Sequence, residues 1–104
     1  MEKLKILLVC SAGTSTSLVV EKMQQQAKKD NKEYKVEACG QALAQDLIPN
    51  YDVILLSPGL RFNLKQFITM FPLKPIDIIN SMAYGMLDAD AIIKQAEKLM
   101  KIKS

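Results

Sequence analysis

Histidine does not occur anywhere in the 104 residues. Its absence removes a Cys-His dyad, most zinc sites and histidine acid–base chemistry from what this chain can do alone. Cysteine is scarce: Cys10 and Cys39 are the only two, and they form no CxxC pair. No apolar run approaches the length of a membrane span. Charge is nearly balanced, with 14 Lys+Arg against 11 Asp+Glu and a net +3. That excess is too slight to indicate nucleic acid or direct membrane insertion. Lys94, Lys98, Lys101 and Lys103 lie along one predicted helix, where they complement its dipole and solvate its face. No repeats, linkers or low-complexity segments occur. The N-terminus runs straight into an apolar stretch without a signal-peptide pattern, so the expectation is a cytoplasmic chain with reduced thiols. The hydrophobic share of 49% and charged share of 24% fit one globular domain over residues 1–104.

What the chain does contain is concentrated between Lys5 and Glu21, KILLVCSAGTSTSLVVE. An apolar run, Ile6-Leu7-Leu8-Val9, ends in Cys10. Small and polar residues follow, Ser11-Ala12-Gly13-Thr14-Ser15-Thr16-Ser17, and an apolar period begins at Leu18. That order reads as buried strand, tight loop and helix. The loop suits an anion. It carries no large side chain, Gly13 permits angles that other residues resist, and successive N–H groups before a helix start make a positive nest. Ser11, Thr14, Ser15, Thr16 and Ser17 add hydroxyl donors. A thiol facing such a nest ionises readily, since helix N-termini lower cysteine pKa to about 3.5–7.5. Nucleophile and cradle together fit a phosphoryl group. Taken singly, each feature has an ordinary reading, the cysteine as a small buried hydrophobe and the Ser/Thr loop as a helix cap. Their conjunction directly after a first buried strand favours the functional one.

The rest of the chain alternates. Strand one covers about Leu4–Val9, and its continuous apolar run predicts burial on both faces. Helix one covers about Thr16–Lys29, with Leu18, Val19, Met23 and Ala27 inward, and Asp30-Asn31-Lys32 is a turn. Tyr34–Cys39 alternates as a second strand ended by Gly40. Ala42–Gln45 forms a short helical turn, broken at Pro49-Asn50. Asp52–Leu56 is a central third strand, and the loop Ser57-Pro58-Gly59 follows it. Leu60, Leu64, Phe67, Ile68 and Phe71 mark an amphipathic helix of about a dozen residues, stopped by Pro72 and Pro75. Ile76–Ile79 is a fourth strand, Asn80–Met86 is irregular or one helical turn, and Asp88 caps a last helix burying Ile92, Ile93, Ala96, Leu99 and Met100. The expected fold is α/β: an open four-stranded parallel sheet, order 2-1-3-4, with helices on both faces. Ligands of such sheets sit beyond the carboxyl ends of the strands, where Cys10 and Ser57-Pro58-Gly59 both fall.

Val9-Cys10-Ser11-Ala12-Gly13-Thr14-Ser15-Thr16-Ser17-Leu18 resembles the active loop of the lactose/cellobiose-type enzyme IIB proteins of the bacterial phosphoenolpyruvate-dependent sugar phosphotransferase system. The family pattern is roughly C-[SA]-[AS]-G-M-S-T-S-L-L, and Thr14 replaces the usual Met. The resemblance extends through Lys22-Met23, Ala38 to Gln41, Asp52 to Pro58, and Ile78 to Asp88 with Tyr84-Gly85-Met86 inside it. Where many members read Gly-Pro-Gln, this chain has Ser57-Pro58-Gly59, and Ala89 replaces a frequent Gly. The resemblance implies that Cys10 accepts a phosphoryl group from phosphohistidine on a IIA partner. Cys10 then passes it to a sugar held by the membrane component IIC, with this chain peripheral to the membrane through IIC. It implies that Ser11 to Ser17 hold the phosphoryl oxygens and that the sugar is a β-linked di- or oligosaccharide of the cellobiose, chitobiose or lactose class. Neither metal nor cofactor is implied, and the lysine of G-x-x-x-x-G-K-[ST] is absent.

The loop also resembles the C-x5-R-[ST] arrangement of low-molecular-weight phosphatases, with Thr16 at the arginine position. An arginine there stabilises the transition state of hydrolysis, and a carrier gains by lacking it. A stand-alone phosphatase or arsenate reductase is the alternative enzyme, and a regulatory module phosphorylated at Cys10 is the alternative binding function. The rim of the site is expected to include Pro58, Gly59, Arg61 and Tyr84, with packing as the other reading of Tyr84. Cys39 reads as an ordinary semi-buried cysteine, with a disulfide to Cys10 as the less favoured idea. Asp52 and Asp77 read as turn or solvating residues.

Overall fold

The structure, a computed structural model, describes residues 3–10 and 16–103, with side chains for 3–10 and 18–101. Four strands form one parallel sheet in the order β2-β1-β3-β4. They are β1 (Lys3–Cys10), β2 (Glu33–Gly40), β3 (Val53–Leu56) and β4 (Ile76–Ile78). Ile6 to Cys10 are all buried, as the continuous apolar run predicts for a strand covered on both faces. β1 pairs with β2 from Lys3↔Glu33 to Cys10↔Gly40 and with β3 from Ile6↔Val53 to Val9↔Leu56. The central strand is therefore held on both edges up to the cysteine.

Side chains alternate across the sheet and build a core on each face. Ile6, Leu8, Val53 and Leu55 pack with Val19, Met23 and Ala27 of α1 (Thr16–Lys29), Ala83 of α4 (Ser81–Gly85), and Ile92, Ile93 and Ala96 of α5 (Ala89–Lys103). Leu7, Val9, Ile54 and Leu56 pack on the other side against Ala44 of α2 (Gln41–Leu47) and Phe67 of α3 (Leu64–Met70). The order and the two-sided helical cover agree with the sequence expectation.

Three local expectations are corrected. Leu18 is 48% exposed: it lies one residue before Val19, the true start of the inward stripe, and the 100° step per residue turns it outward. The helix expected over 60–71 is two elements, a 3-10 helix over Pro58–Asn63 and then α3. Pro58 starts the turn early because its fixed φ suits a first helical position, and Gly59 and Asn63 are poor α-formers. Ile68 consequently faces solvent. The turn expected at Ala42–Gln45 runs through Gln41–Leu47 and continues as a 3-10 turn over Ile48–Asn50.

The helix ends follow ordinary capping chemistry. α1 closes with Asn31 at φ 58°, the Lys32 N–H donating to the Ala27 carbonyl at 2.8 Å, the left-handed closure that Asn tolerates. Asp88 caps α5 as expected, its Oδ1 accepting from the Ala91 N–H at 3.2 Å.

Candidate functional site

Cys10 is the last residue of β1, at the carboxyl end of the central strand, and is 5% exposed. Its Sγ donates to the Cys39 carbonyl oxygen on β2 at 3.6 Å. On the other side, the Ser57 N–H donates to the Val9 carbonyl at 2.8 Å. The loop after β3 is thus tied to the residue preceding the thiol. Ser57 is buried, Pro58 half-buried and Gly59 exposed, and the Ser57 N–H is the tie between this loop and β1.

Ser11, Ala12, Gly13, Thr14 and Ser15 lie outside the described residues, and Thr16 and Ser17 are described as backbone of the first turn of α1. The helix therefore begins six positions after Cys10, directly behind the small-residue segment. A helix start carries unpaired N–H groups and about half a positive charge, which suits an anion delivered to the sulfur.

Cys39 is buried in the core beneath α2 and α3, and burial, helped by nearby Cys10, pushes its thiol up to about 11. By strand alternation Cys10 shares the face of Ile6 and Leu8, whereas Cys39 shares that of Leu7 and Val9. The two thiols point to opposite sides of the sheet and are not joined in a disulfide, because Cβ vectors that diverge cannot be bridged without moving the backbone. Tyr84 is half-buried and packs against the first core, the one on the sheet face that Cys10 shares with Ile6 and Leu8. Asp52 and Asp77 hold backbone: Asp52 accepts from the Lys5 N–H at 2.9 Å and Asp77 from the Ile78 N–H at 2.7 Å. Among the described residues no three His, Cys, Asp or Glu side chains gather as a metal site.

The periphery of this end is apolar. Leu43 on α2, Phe62 in the 3-10 helix at 84% exposed, and Met82 and Met86 on the α4 turn at 72% each all stand in solvent. Each follows a strand's carboxyl end by a few residues. Arg61 lies over the Phe62 ring, 4.8 Å from its centroid. Sequence reading placed Arg61 and Tyr84 here but missed Leu43, Phe62, Met82 and Met86. The available signal was their failure to fit the inward period of any helix. No helix among the described residues is long and apolar enough to cross a membrane.

Comparison with known proteins agrees with this geometry. The family described as "PTS system, Lactose/Cellobiose specific IIB subunit" matches residues 5–95. The chain is 36% identical over 99 residues to the oligo-beta-mannoside-specific EIIB component of Bacillus subtilis, covering 92% of this chain and 95% of that one. It is 35% identical over 102 residues to the galactose-specific EIIB component of Lactococcus lactis subsp. cremoris, covering 91% and 94%. Among solved structures, the cellobiose-specific phosphotransferase IIB component of Borrelia burgdorferi superposes with a TM-score of 0.81 at 35% identity, over 98% of this chain and 95% of that one. With the matched region running from β1 through the cysteine into α5, the chain belongs to the lactose/cellobiose-specific IIB subunits of the sugar phosphotransferase system.

Proposed function

We propose that Cys10 carries a phosphoryl group between two partner proteins during sugar uptake. The observation that supports this most is the placement of Cys10 at the carboxyl end of the central strand, six positions ahead of a helix start. In the first transfer the Cys10 sulfur attacks phosphorus on a phosphohistidine of IIA. The S–P bond forms, the N–P bond breaks, and the proton formerly on sulfur ends on the released imidazole. In the second, a sugar hydroxyl held by IIC attacks the phosphorus. The S–P bond breaks and sulfur regains a proton. Neither transfer needs a histidine in this chain. The work left to the protein is positioning and charge stabilisation, for which we assign the amides and hydroxyls of Ser11 to Ser17, including Ala12, Gly13 and Thr14. Pro58, Gly59 and Tyr84 form the rim that partners meet. Small exchange interfaces of this kind are transient, and the exposed apolar ring of Leu43, Phe62, Met82 and Met86 supplies contact area that two different partners share.

A hydrolase acting alone is not favoured, because Thr16 stands where C-x5-R-[ST] enzymes carry arginine and the family match is to carriers. The names of the relatives mention oligo-beta-mannoside and galactose, and that of the structural neighbour cellobiose. A β-linked di- or oligosaccharide is the substrate class proposed here. Incubation with phosphoenolpyruvate, the general phosphotransferase proteins and a lactose/cellobiose-type IIA is expected to add one phosphate by intact mass, absent in Cys10→Ser. Phosphate on any other residue, or none on the native chain, would overturn the assignment.

A further inference from the structure

We propose that Gln95 is a positioning residue that holds one wall of the partner-docking rim from the far side of α5. The inference rests on the carrier reading above and extends it to a residue outside the loop. Among the described residues β4 is an edge strand, paired with β3 alone. In a parallel strand alternate residues present both N–H and C=O to the same side. The Ile79 N–H donates to the Leu56 carbonyl at 2.8 Å, so Ile78 and Asn80 present their backbone groups outward. Two of these groups, the Ile78 carbonyl and the Asn80 N–H, are taken by a single side chain. Gln95 Nε2 donates to the Ile78 carbonyl at 2.6 Å, and Gln95 Oε1 accepts from the Asn80 N–H at 3.0 Å. The carboxamide occupies the edge as the peptide group of a fifth strand would.

The residue so gripped is the one that builds α4. Asn80 Oδ1 caps the helix by accepting from the Ala83 N–H at 3.0 Å, and the Asn80 carbonyl accepts from the Tyr84 N–H at 2.9 Å. α4 has only five residues, too few to be stable alone, and it carries Met82 and Tyr84, with Met86 at its C-cap. Its inward anchor, Ala83, is buried in the core that α1 and α5 build on this face of the sheet, and α4 packs against α5. Gln95 also lines an open groove of about 740 Å3 between β4, α4 and α5, with Met82 and Met86 along its border. Loosening Gln95 would free the turn on that side.

Two variants separate the parts of this grip. Gln95→Met keeps the length and removes both polar groups. Gln95→Glu keeps the acceptor for Asn80 and removes the donor for Ile78, in surroundings where Asp77, Asp88, Lys94 and Lys98 are the charged groups facing the groove. Amide exchange at Asn80 is expected to quicken by about tenfold in Gln95→Met and to stay near native in Gln95→Glu. In titrations with phosphorylated IIA of the lactose/cellobiose type, the half-saturating IIA concentration is expected to rise about fivefold in Gln95→Met. The maximal rate of phosphocysteine formation should hold. Gln95→Glu is expected to fall between the two, and Lys28→Ala, at an exposed residue in the last turn of α1, should leave both parameters native. Native half-saturation in Gln95→Met, or a fall in maximal rate instead, overturns the proposal. If the native chain takes no phosphate, the carrier reading fails. Asn80 exchange then still tests the grip, and native exchange in Gln95→Met refutes it.

Discussion

A sulfur that must accept a phosphoryl group and hand it on has to resist water in between. Threonine at position 16 bears on that requirement. Arginine at this place in a C-x5-R-[ST] loop would stabilise the charge of the hydrolytic transition state, and one such donor is typically worth about 10²–10³ in rate. Thr16→Arg is therefore expected to shorten the lifetime of phospho-Cys10 by at least about tenfold, followed as loss of the added phosphate mass once the donor is removed. An unchanged lifetime would show that the missing arginine is not what protects the intermediate. Cys39, in contrast, has its thiol held up at about 11 by burial and nearby Cys10, and its backbone carbonyl accepts from the Cys10 thiol.

The elements show what local pattern reveals and what it hides. Helix α1 begins and ends where the sequence indicates, Thr16 to Lys29, because a Ser/Thr start and an Asp-Asn turn are local signals. Asn31 at φ 58° makes that end testable. Asn31→Val forces a β-branched side chain into left-handed backbone and is expected to cost about 1–2 kcal/mol in urea unfolding, while Asn31→Gly should be neutral or slightly stabilising. Equal stability of the two variants would mean that this turn relaxes. The apolar period of residues 60–71 was equally plain, yet its first four residues wind in the 3-10 helix that Pro58 and Gly59 start before the period begins. The place of Cys10 at a strand end and the helix start at Thr16 were legible because apolar run, small residues and helical period are contiguous. Gln95 was not, because its partners Ile78 and Asn80 lie 17 and 15 residues away and no spacing rule links a helix side chain to a strand edge.

At the scale of the molecule, two cores share one sheet. Leu7 and Leu8 are neighbours in β1, fully buried on opposite faces. Leu7→Ala and Leu8→Ala are each expected to cost about 2–5 kcal/mol, with tyrosine fluorescence and circular dichroism falling together through a single urea transition. Separate transitions would mean that the faces unfold independently. A polar tie fastens the opposite end of the molecule: Glu97 on α5 accepts from Lys32 Nζ at 2.6 Å and from the Tyr34 hydroxyl. Burial alone would raise the Glu97 carboxyl, but these two hydrogen bonds outweigh it and hold it below its ordinary value of 4.5. A carboxylate with a depressed folded pKa adds stability above the unfolded value and loses it as pH falls through the folded one. Glu97→Gln is thus expected to lower stability by about 1–2 kcal/mol at pH 7, with the gap narrowing towards pH 3. A gap that stays constant across this range would remove the charge from the explanation.

The divergence of the two thiols across the sheet governs how the chain meets an oxidant. Peroxide that reaches Cys10 makes a sulfenic acid that Cys39, on the far face, is not placed to resolve. Such a sulfur is left to condense with glutathione or another external thiol, and each of those adducts is undone by ordinary cellular reductants. Oxidative stress would then pause sugar import reversibly, one molecule at a time, without locking the carrier into an inactive intramolecular ring.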